Sequence, residues 1–207
     1  DVHKMYPSGE YAVRGVNMSM HKGQVTCLLG HNGAGKSTIF SMISGMAVPT
    51  KESFRIMNDD NRESQKMIGY CPQYNAVFPK LTVDEHLEFF TSLKGEDSWK
   101  ETGDRIRTTV GMCNMGKAMP HQLSGGMKRK LCIAISLAGD SPIVLLDEPT
   151  AGMDPGARRD FERLLKEWKK DHTILLTTHY TDEAEMLADR IFIMARGKYS
   201  AVDHPNF

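Results

Sequence analysis

Short runs of apolar residues alternate along the chain with longer segments in which apolar residues return every three or four positions. The runs at 25–29, 143–146, 174–176 and 191–194 predict buried strands, each flanked by Gly, Pro, Asp or Thr. Helical patterns lie between several of these strands. This alternation predicts an α/β fold with a largely parallel sheet.

The middle of the chain differs from its flanks. Strand-like runs disappear after residue 75, and helical spacing predicts helices at 83–93 and 104–112. We interpret residues 76–138 as a helical sub-domain inserted into a core that is formed by residues 25–75 and 139–207.

The N-terminal stretch alternates apolar and polar residues between positions 11 and 20 and then reaches Lys22 and Gly23. We therefore expect residues 1–24 to form a small antiparallel β region ahead of the first core strand. No long linker divides the 207 residues, so the chain is expected to be a single domain, 1–207.

A further helix is predicted near the carboxyl-terminal third of the chain. Asp154 has the N-cap position and Pro155 the first helical position. The residues that follow place an apolar stripe on one helix face: Phe161, Leu164, Leu165 and Trp168.

Composition limits the classes of function. The 26 Lys and Arg residues balance 26 Asp and Glu residues, so the chain lacks the basic field that nucleic-acid binding needs, and no nucleic-acid partner is expected. The four cysteines form no C-x-x-C pair and are expected to be reduced thiols. No apolar run approaches the ~18 residues that span a bilayer. The first ten residues have no apolar run and no starting Met, so we expect a piece of a longer chain rather than a secreted product.

A phosphate-binding loop follows the first core strand. The segment that matches G-x-x-x-x-G-K-[ST] is Gly30, His31, Asn32, Gly33, Ala34, Gly35, Lys36 and Ser37. It precedes a helix predicted at 38–44, whose N-terminus adds partial positive charge. Lys36 can reach the β- and γ-phosphates of ATP, and the Ser37 hydroxyl can ligate Mg²⁺. These residues and Thr38 are the predicted nucleotide contacts.

Two acidic residues end the strand predicted at 143–146. A carboxylate at such a position is costly to bury without a cation. Asp147 therefore suits the surroundings of Mg²⁺, and Glu148 can face the water that attacks the γ-phosphate. A general base of this kind contributes about 10²–10⁴-fold in rate.

A second helix start with anion-binding character lies at Leu123, Ser124, Gly125, Gly126 and Met127. Ser124 is the predicted N-cap, and the two glycines expose backbone N–H groups. This segment resembles the signature motif of the ATP-binding cassette (ABC) ATPases.

Further segments resemble this family in the same order along the chain. Gln73 matches the residue of the Q-loop, which reaches Mg²⁺, and residues 151–154 match the D-loop. His179, after the strand at 174–176, matches the switch histidine, which contacts the γ-phosphate and holds Glu148 and the attacking water. Tyr6 matches the aromatic residue that stacks on adenine, with Tyr11 as its competitor.

The sequences of several motifs are similar to those of subfamily A of the ABC transporters. These motifs are residues 30–36, 71–75, 81–87 and 150–155, and Met127 stands where the family usually has Gln. Residues 49–53 depart from the family, which usually has a glycine near Glu52.

The resemblance implies a nucleotide-binding domain that hydrolyses ATP with Mg²⁺ on the cytosolic face of a membrane, as part of an integral membrane protein that moves lipids. A second nucleotide-binding domain is implied as partner. The two would sandwich two ATP molecules head to tail, with residues 124–127 completing the partner's site. Residues 74–78 would contact the transmembrane domains, the alternative being a hydrophobic hinge of the sub-domain.

Two other functions stay open at this point. One is a soluble ABC ATPase of DNA repair or translation, although the 111 positions between Lys36 and Asp147 leave no room for a long coiled coil. The other is a catalytically silent domain that binds ATP for regulation, against which the intact Gln73, Glu148 and His179 argue.

Overall fold

The computed structural model describes residues 1–52, 54, 67–96 and 98–203. Ser53, residues 55–66, Asp97 and residues 204–207 belong to the predicted regions but lie outside that range. The strands and helices follow in this order: β1 Val2–Met5, β2 Tyr11–Val16, β3 Val25–Leu29, α1 Lys36–Ile43, β4 Ile68–Cys71, α2 Val83–Leu93, α3 Trp99–Thr109, α4 Gly125–Leu137, β5 Ile143–Asp147, α5 Pro155–Trp168, β6 Thr173–Thr178, α6 Thr181–Leu187, β7 Arg190–Ala195 and β8 Lys198–Asp203.

The main sheet has six strands in the order β4-β5-β6-β3-β7-β8. All neighbouring pairs are parallel except β7 and β8, which pair antiparallel. The prediction of an α/β fold with a largely parallel sheet is therefore confirmed.

The central strands are buried on both faces, which explains why they read as continuous apolar runs. Because side chains alternate along a strand, Val25, Cys27 and Leu29 join one core cluster while Leu28 joins the other. Helices α4 and α5 cover the first face, and α1 covers the second.

A separate two-stranded antiparallel sheet, β1 and β2, lies ahead of β3. Val2, Val13 and Val16 pack into the same cluster as Ile39 and Phe40 of α1. The N-terminal β region thus covers the helix that follows the phosphate loop.

Helix α2 has the predicted bounds, 83–93. It begins with a capping box in which Thr82 accepts the Glu85 N–H and Glu85 accepts the Thr82 N–H. Helix α5 also begins as predicted, because the Asp154 carboxylate caps its first turn.

Two predicted helices were wrong at their ends. The helix predicted at 104–112 is α3, Trp99–Thr109, since its first turn is largely polar and lacks the apolar spacing used to find it. Gly111, at φ 69°, follows its end. The helix predicted at 38–44 is α1, Lys36–Ile43, because the turn of the phosphate loop already begins the helix.

Two strands of the main sheet were not predicted. Strand β4 is only four residues long and contains Gly69, which weakens the apolar run. Strand β8 is an edge strand that pairs with β7, and it lacks an apolar run.

Cys27, Cys71, Cys113 and Cys132 are all free thiols, as expected. None of the helices in the described part of the chain has the length and hydrophobicity that crossing a bilayer requires.

Candidate functional site

A cleft of about 790 Å³ opens where the N-terminal sheet, the loop before α1 and the carboxyl ends of the central strands meet. It is the position at which open α/β sheets bind ligands. Its walls are formed by Tyr6, Glu10, Tyr11, Ala12, Arg14, His31, Asn32, Gly33, Gly35, Lys36, Ser37, Thr38, Gln73, Glu148, Arg196 and Gly197. Most of the predicted nucleotide contacts therefore share one cleft.

Two glycines of the phosphate loop, Gly30 and Gly35, are required by close approach. A Cβ on Gly30 would lie 2.5 Å from the Met194 carbonyl oxygen, and one on Gly35 would overlap the Ala12 carbonyl oxygen. Gly35 also has φ 107°, a conformation that a side chain rarely adopts. The loop is thus held between β2 and β7, and this fixes where α1 begins.

The start of α1 is built for an anion. Its N-cap is Gly35, which offers no side-chain acceptor to the first N–H groups of the helix. Lys36 is nearly buried, and its ammonium group donates to the Gly30 carbonyl oxygen at 2.6 Å and to that of His31 at 3.3 Å. The loop thereby combines N–H donors and a positive charge, the pattern that binds phosphate groups.

The structure brings the three predicted catalytic side chains together. The Gln73 amide donates to Glu148 Oε2 at 2.9 Å, and His179 Nδ1 lies 3.2 Å from Glu148 Oε1. Glu148 is 9% exposed and also lines the cleft. The sequence places these residues on three separate loops, and the parallel strands bring the loops to one edge of the sheet.

Glu148 has an unusual backbone conformation. Its φ of 46° lies in the left-handed region, which costs a non-glycine residue on the order of 1–3 kcal/mol. Its N–H donates to Thr177 Oγ1 at 2.9 Å, and its carbonyl oxygen accepts from Arg129 at 3.0 Å. Neighbouring groups therefore hold this conformation from both sides.

Asp147 is buried beside Glu148, and one of its carboxylate oxygens accepts from Thr177 Oγ1 at 2.6 Å. A carboxylate, an amide oxygen and a hydroxyl are hard oxygen donors that suit Mg²⁺ bound mainly through substrate phosphates. No group of three His, Cys, Asp or Glu side chains forms a metal cage within the described ranges. By the chemistry of their donor atoms, Asp147, Gln73 and Ser37 fit Mg²⁺ that is held mainly by substrate phosphates.

Both candidates for the adenine platform face the cleft. Tyr6 is 42% exposed, and its hydroxyl lies 3.4 Å from Thr38 Oγ1, while Tyr11 is 43% exposed. The Lys4 ammonium lies over the Tyr6 ring and the Arg14 guanidinium near the Tyr11 ring. The geometry leaves both rings available to stack on a base.

The signature segment lies away from this cleft. Ser124 caps α4 by accepting the Met127 N–H at 3.2 Å, as predicted, but none of Ser124, Gly125, Gly126 and Met127 lines the cleft. A Cβ on Gly125 or Gly126 would meet nothing within 4 Å, and neither glycine has a positive φ. Within the described chain, these glycines are required by neither conformation nor packing.

Two exposed aromatic side chains follow Gln73 in the segment 74–78. Tyr74 is 73% exposed, and Phe78 is 46% exposed. The Phe78 ring contacts Phe89 edge to face and stacks on Phe90. We call Tyr74, Phe78 and Phe89 the aromatic surface.

Sequence reasoning missed several residues that shape the site. Arg129 and Glu183 are buried and charged, and Arg14 and Arg196 line the cleft. The only available signal was their charge beside recognised motifs, since Arg129 follows the signature closely and Glu183 follows His179. Burial raises the pKa of the Cys71 thiol to about 12, so this neighbour of the site is uncharged.

Comparison with known proteins identifies the family of the chain. The family model of the ABC transporter matches residues 13–151. The chain belongs to the ABC transporter family and is one of its ATP-hydrolysing domains.

Curated relatives are members of subfamily A. The chain is 49% identical over 200 residues to ABC transporter ced-7 of Caenorhabditis elegans. The aligned region covers 94% of the chain and 12% of ced-7. It is 42% identical to the human phospholipid-transporting ATPase ABCA7 over 100% of the chain and 10% of that protein. It is 45% identical to the human phospholipid-transporting ATPase ABCA3 over 90% of the chain and 11% of that protein. The chain thus spans about a tenth of the length of these relatives.

Solved structures of cassettes have the same fold. A dimeric structure of MJ0796, a bacterial ABC transporter cassette, has a TM-score of 0.87 at 28% identity and covers 100% of this chain and 97% of that one. A dimeric post-hydrolysis state of MJ0796 bound to ADP and Pi has a TM-score of 0.86 at 25% identity, and it covers 100% of this chain and 96% of that one.

Proposed function

We propose that this chain is a nucleotide-binding domain of a membrane transporter, in which Glu148 activates the water that cleaves ATP. The observation that carries the proposal is the arrangement of Gln73, Glu148 and His179. One carboxylate is held by an amide on one side and an imidazole on the other, at the wall of the phosphate-loop cleft. A water between Glu148 and the γ-phosphate would be oriented and deprotonated there.

The remaining residues bind the substrate. The Lys36 ammonium and the N–H groups of residues 30–38 hold the phosphates, except the N–H groups of Gly30 and Ala34, which donate to the Thr178 and His31 carbonyl oxygens. Tyr6 or Tyr11 stacks on adenine. His179 contacts the γ-phosphate and fixes the Glu148 carboxylate. Ser37, Gln73 and Asp147 would hold Mg²⁺, which neutralises phosphate charge when it is bound.

A second nucleotide-binding domain completes the site. The signature residues 124–127 lie outside their own cleft, and their two glycines have free space around them. Both facts support a role for this segment against the ATP of a partner that binds head to tail. The dimeric structure of MJ0796, whose chain is covered almost completely, supports a second cassette as the partner.

The transmembrane partner is proposed to dock on residues 74–78, in which Tyr74 and Phe78 are exposed. This segment directly follows Gln73, so a change at the γ-phosphate can reach it through a short stretch of the chain. The named activity of ABCA7 and ABCA3 supports phospholipid as the transported substrate. The domain then lies on the cytosolic face of the membrane, as part of an integral membrane protein.

We retain the division of the single domain 1–207 into a β region at 1–24, a core at 25–75 and 139–207 and a helical sub-domain at 76–138. It assigns the aromatic surface and the signature segment mostly to one unit that can move as a body.

Two substitutions test the hydrolytic site. Lys36→Ala should weaken ATP binding, measured by titration with a fluorescent ATP analogue; unchanged affinity would show that the phosphate-loop assignment is wrong. Glu148→Gln should retain ATP and lose turnover by about 10²–10⁴-fold. Equal turnover would remove Glu148 from the role of base.

A mixing experiment tests the head-to-tail partner. Lys36→Ala leaves the signature intact, and Ser124→Arg leaves the phosphate loop intact. In mixed dimers one composite site is then complete, so the mixture should hydrolyse ATP although neither variant does so alone. Mixing Lys36→Ala with Glu148→Gln is the matched control, since both possible sites are then defective. Equal turnover in the two mixtures would contradict the arrangement.

Docking of the membrane partner is tested by crosslinking in the full-length parent protein. A photoreactive residue at Tyr74 or Phe78 should crosslink to cytosolic segments of the transmembrane domains. The exposed Lys80, two residues after Phe78, is the control position. Equal or absent crosslinking at all three positions would move the contact elsewhere.

A further inference from the structure

Arg129 lies one turn inside α4, the helix that begins at the signature segment. Its side chain is buried, with 2% of the residue exposed. All three guanidinium nitrogens donate to backbone carbonyl oxygens: Nε to Pro149 at 2.9 Å, Nη2 to Asp147 at 2.7 Å and to Glu148 at 3.0 Å, and Nη1 to Gln73 at 3.2 Å and to Pro72.

These acceptors belong to two loops that are far apart in sequence. One loop contains Gln73, and the other contains Glu148, whose side chains meet at the cleft. Arg129 therefore binds the backbones of both loops behind the hydrogen bond that joins their side chains. A planar guanidinium with five N–H groups can make such a set of contacts, whereas a lysine ammonium offers only one donor centre.

The contact with Glu148 has a particular consequence. The residue has a left-handed backbone, with φ 46°, and is held by Thr177 at its N–H and by Arg129 at its carbonyl. Without Arg129, the peptide after Glu148 can rotate toward an ordinary conformation. The carboxylate would then leave the position between Gln73 and His179.

We propose that Arg129 is a positioning residue for ATP hydrolysis, which links the signature helix to Gln73 and Glu148 of the same chain. The proposal rests on the proposed role of Glu148 as base. Because α4 carries the segment that faces the partner's ATP, a displacement of its first turn reaches this chain's own base through one side chain. The two sites of a dimer are thereby coupled without contact between their nucleotides.

The test compares Arg129→Lys with the matched control Lys130→Met. Lys130 is the next residue on the same helix and only approaches Asp160, at 3.9 Å. For Arg129→Lys we expect ATP affinity within about twofold of wild type and kcat lower by about 10–100-fold, the scale of a small misplacement of a catalytic group. Lys130→Met should change neither value.

Amide hydrogen exchange distinguishes positioning from loss of folding. In Arg129→Lys the peptides that contain Gln73 and Glu148 should exchange faster, while the peptide of the phosphate loop and α1 should not. Faster exchange throughout the chain, or kcat and ATP affinity that fall together, would show a merely structural role and overturn the proposal. Unchanged kcat would overturn it as well.

Two further variants keep the test decisive. Thr177→Val removes the other contact that holds Glu148, together with the hydrogen bond to Asp147, and should lower kcat even if Arg129→Lys folds poorly. Glu148→Gln separates the two proposals. If it loses turnover while Arg129→Lys and Thr177→Val keep it, the positioning role alone is wrong. If Glu148→Gln keeps full turnover, the proposed role of Glu148 as base is wrong, and the Arg129 proposal that depends on it fails as well.

Discussion

Gly69 of β4 packs directly against the backbone of Ser136 in α4, so that a side-chain carbon on Gly69 would overlap the Ser136 carbonyl oxygen. The strand that leads to Gln73 and the helix that begins at the signature segment therefore touch backbone to backbone. A contact between two backbones cannot be relieved by a change of rotamer. The close spacing of β4 and α4 consequently depends on the absence of a side chain at position 69.

Gly69→Ala should destabilise the fold strongly. Strand β4 is hydrogen-bonded along β5, and α4 is buried, so the added methyl forces one of them to move. Overpacking of this kind costs about 1–3 kcal/mol and sometimes more. Urea unfolding measures the change. Gly125→Ala, where a Cβ meets nothing within 4 Å, should stay within about 0.5 kcal/mol of wild type.

Glu52→Gly should stabilise the turn at which the sequence departs from its family. Glu52 has φ 59°, a region that costs a residue with a side chain about 1–2 kcal/mol. Glycine removes this cost but adds entropy to the unfolded chain, so we expect a net gain of up to about 1 kcal/mol. Thermal or urea unfolding measures it. The neighbouring Lys51→Gly has no such strain to relieve and should lower stability; a gain there too would contradict the explanation.

His86 should make the fold sensitive to acid. It is fully buried, accepts the Phe78 N–H at Nε2, 2.8 Å away, and donates from Nδ1 to the Thr82 carbonyl, 2.7 Å away. Burial lowers its pKa below 6.5, against smaller raising effects of the Thr82 carbonyl and the Glu85 charge. The unfolded chain therefore binds the proton more readily, so this contribution is present above about pH 6.5 and is lost as pH falls through the folded pKa.

His86→Gln tests this sensitivity, because its amide oxygen can accept the Phe78 N–H without titrating. From about pH 7.5 to about pH 5.5, wild type should lose more unfolding free energy than the variant. His121→Gln, at an exposed histidine, should follow wild type. Parallel losses in wild type and His86→Gln would exclude His86 as the cause.

Glu183 should matter for both stability and turnover. This buried carboxylate accepts hydrogen bonds from Thr150, just after Glu148, and from Thr178, just before His179. Glu183→Ala leaves two buried hydroxyls without their acceptor, and each can lower the free energy of unfolding by about 1–3 kcal/mol. We expect lower unfolding free energy and lower kcat. The exposed Glu185→Ala on the same helix should change neither, and a normal kcat in Glu183→Ala would separate this contact from catalysis.

The sequence predicted those parts of the fold and site that local patterns encode. The strands β3, β5 and β6 contain continuous apolar runs because both faces of the sheet are covered there. The loop before α1 is recognisable because phosphate binding requires glycine and lysine at fixed positions. Glu148 and His179 could be placed near one another because each follows a predicted strand. Gln73 was identified only through the family resemblance, since β4 was not predicted, and the roles of all three residues remain predictions.

Contacts between distant segments were outside the reach of such patterns. Arg129 is 57 positions from Pro72 and 20 from Pro149, and its acceptors are backbone carbonyls, which every residue possesses. No residue type at those positions signals the contact. Gly69 was likewise hidden, because only the packing of α4 against β4 explains why a short strand contains a glycine.

Because Glu148 has a left-handed backbone, the stability of the fold and the turnover of ATP favour different residues at this position. Glycine adopts this conformation freely, so selection for stability alone would favour glycine at position 148. A glycine there would remove the carboxylate that Gln73 and His179 hold. Random mutagenesis selected only for thermal resistance should therefore collect inactive chains at this position, and a screen for robust variants of this protein has to score ATP turnover at every round.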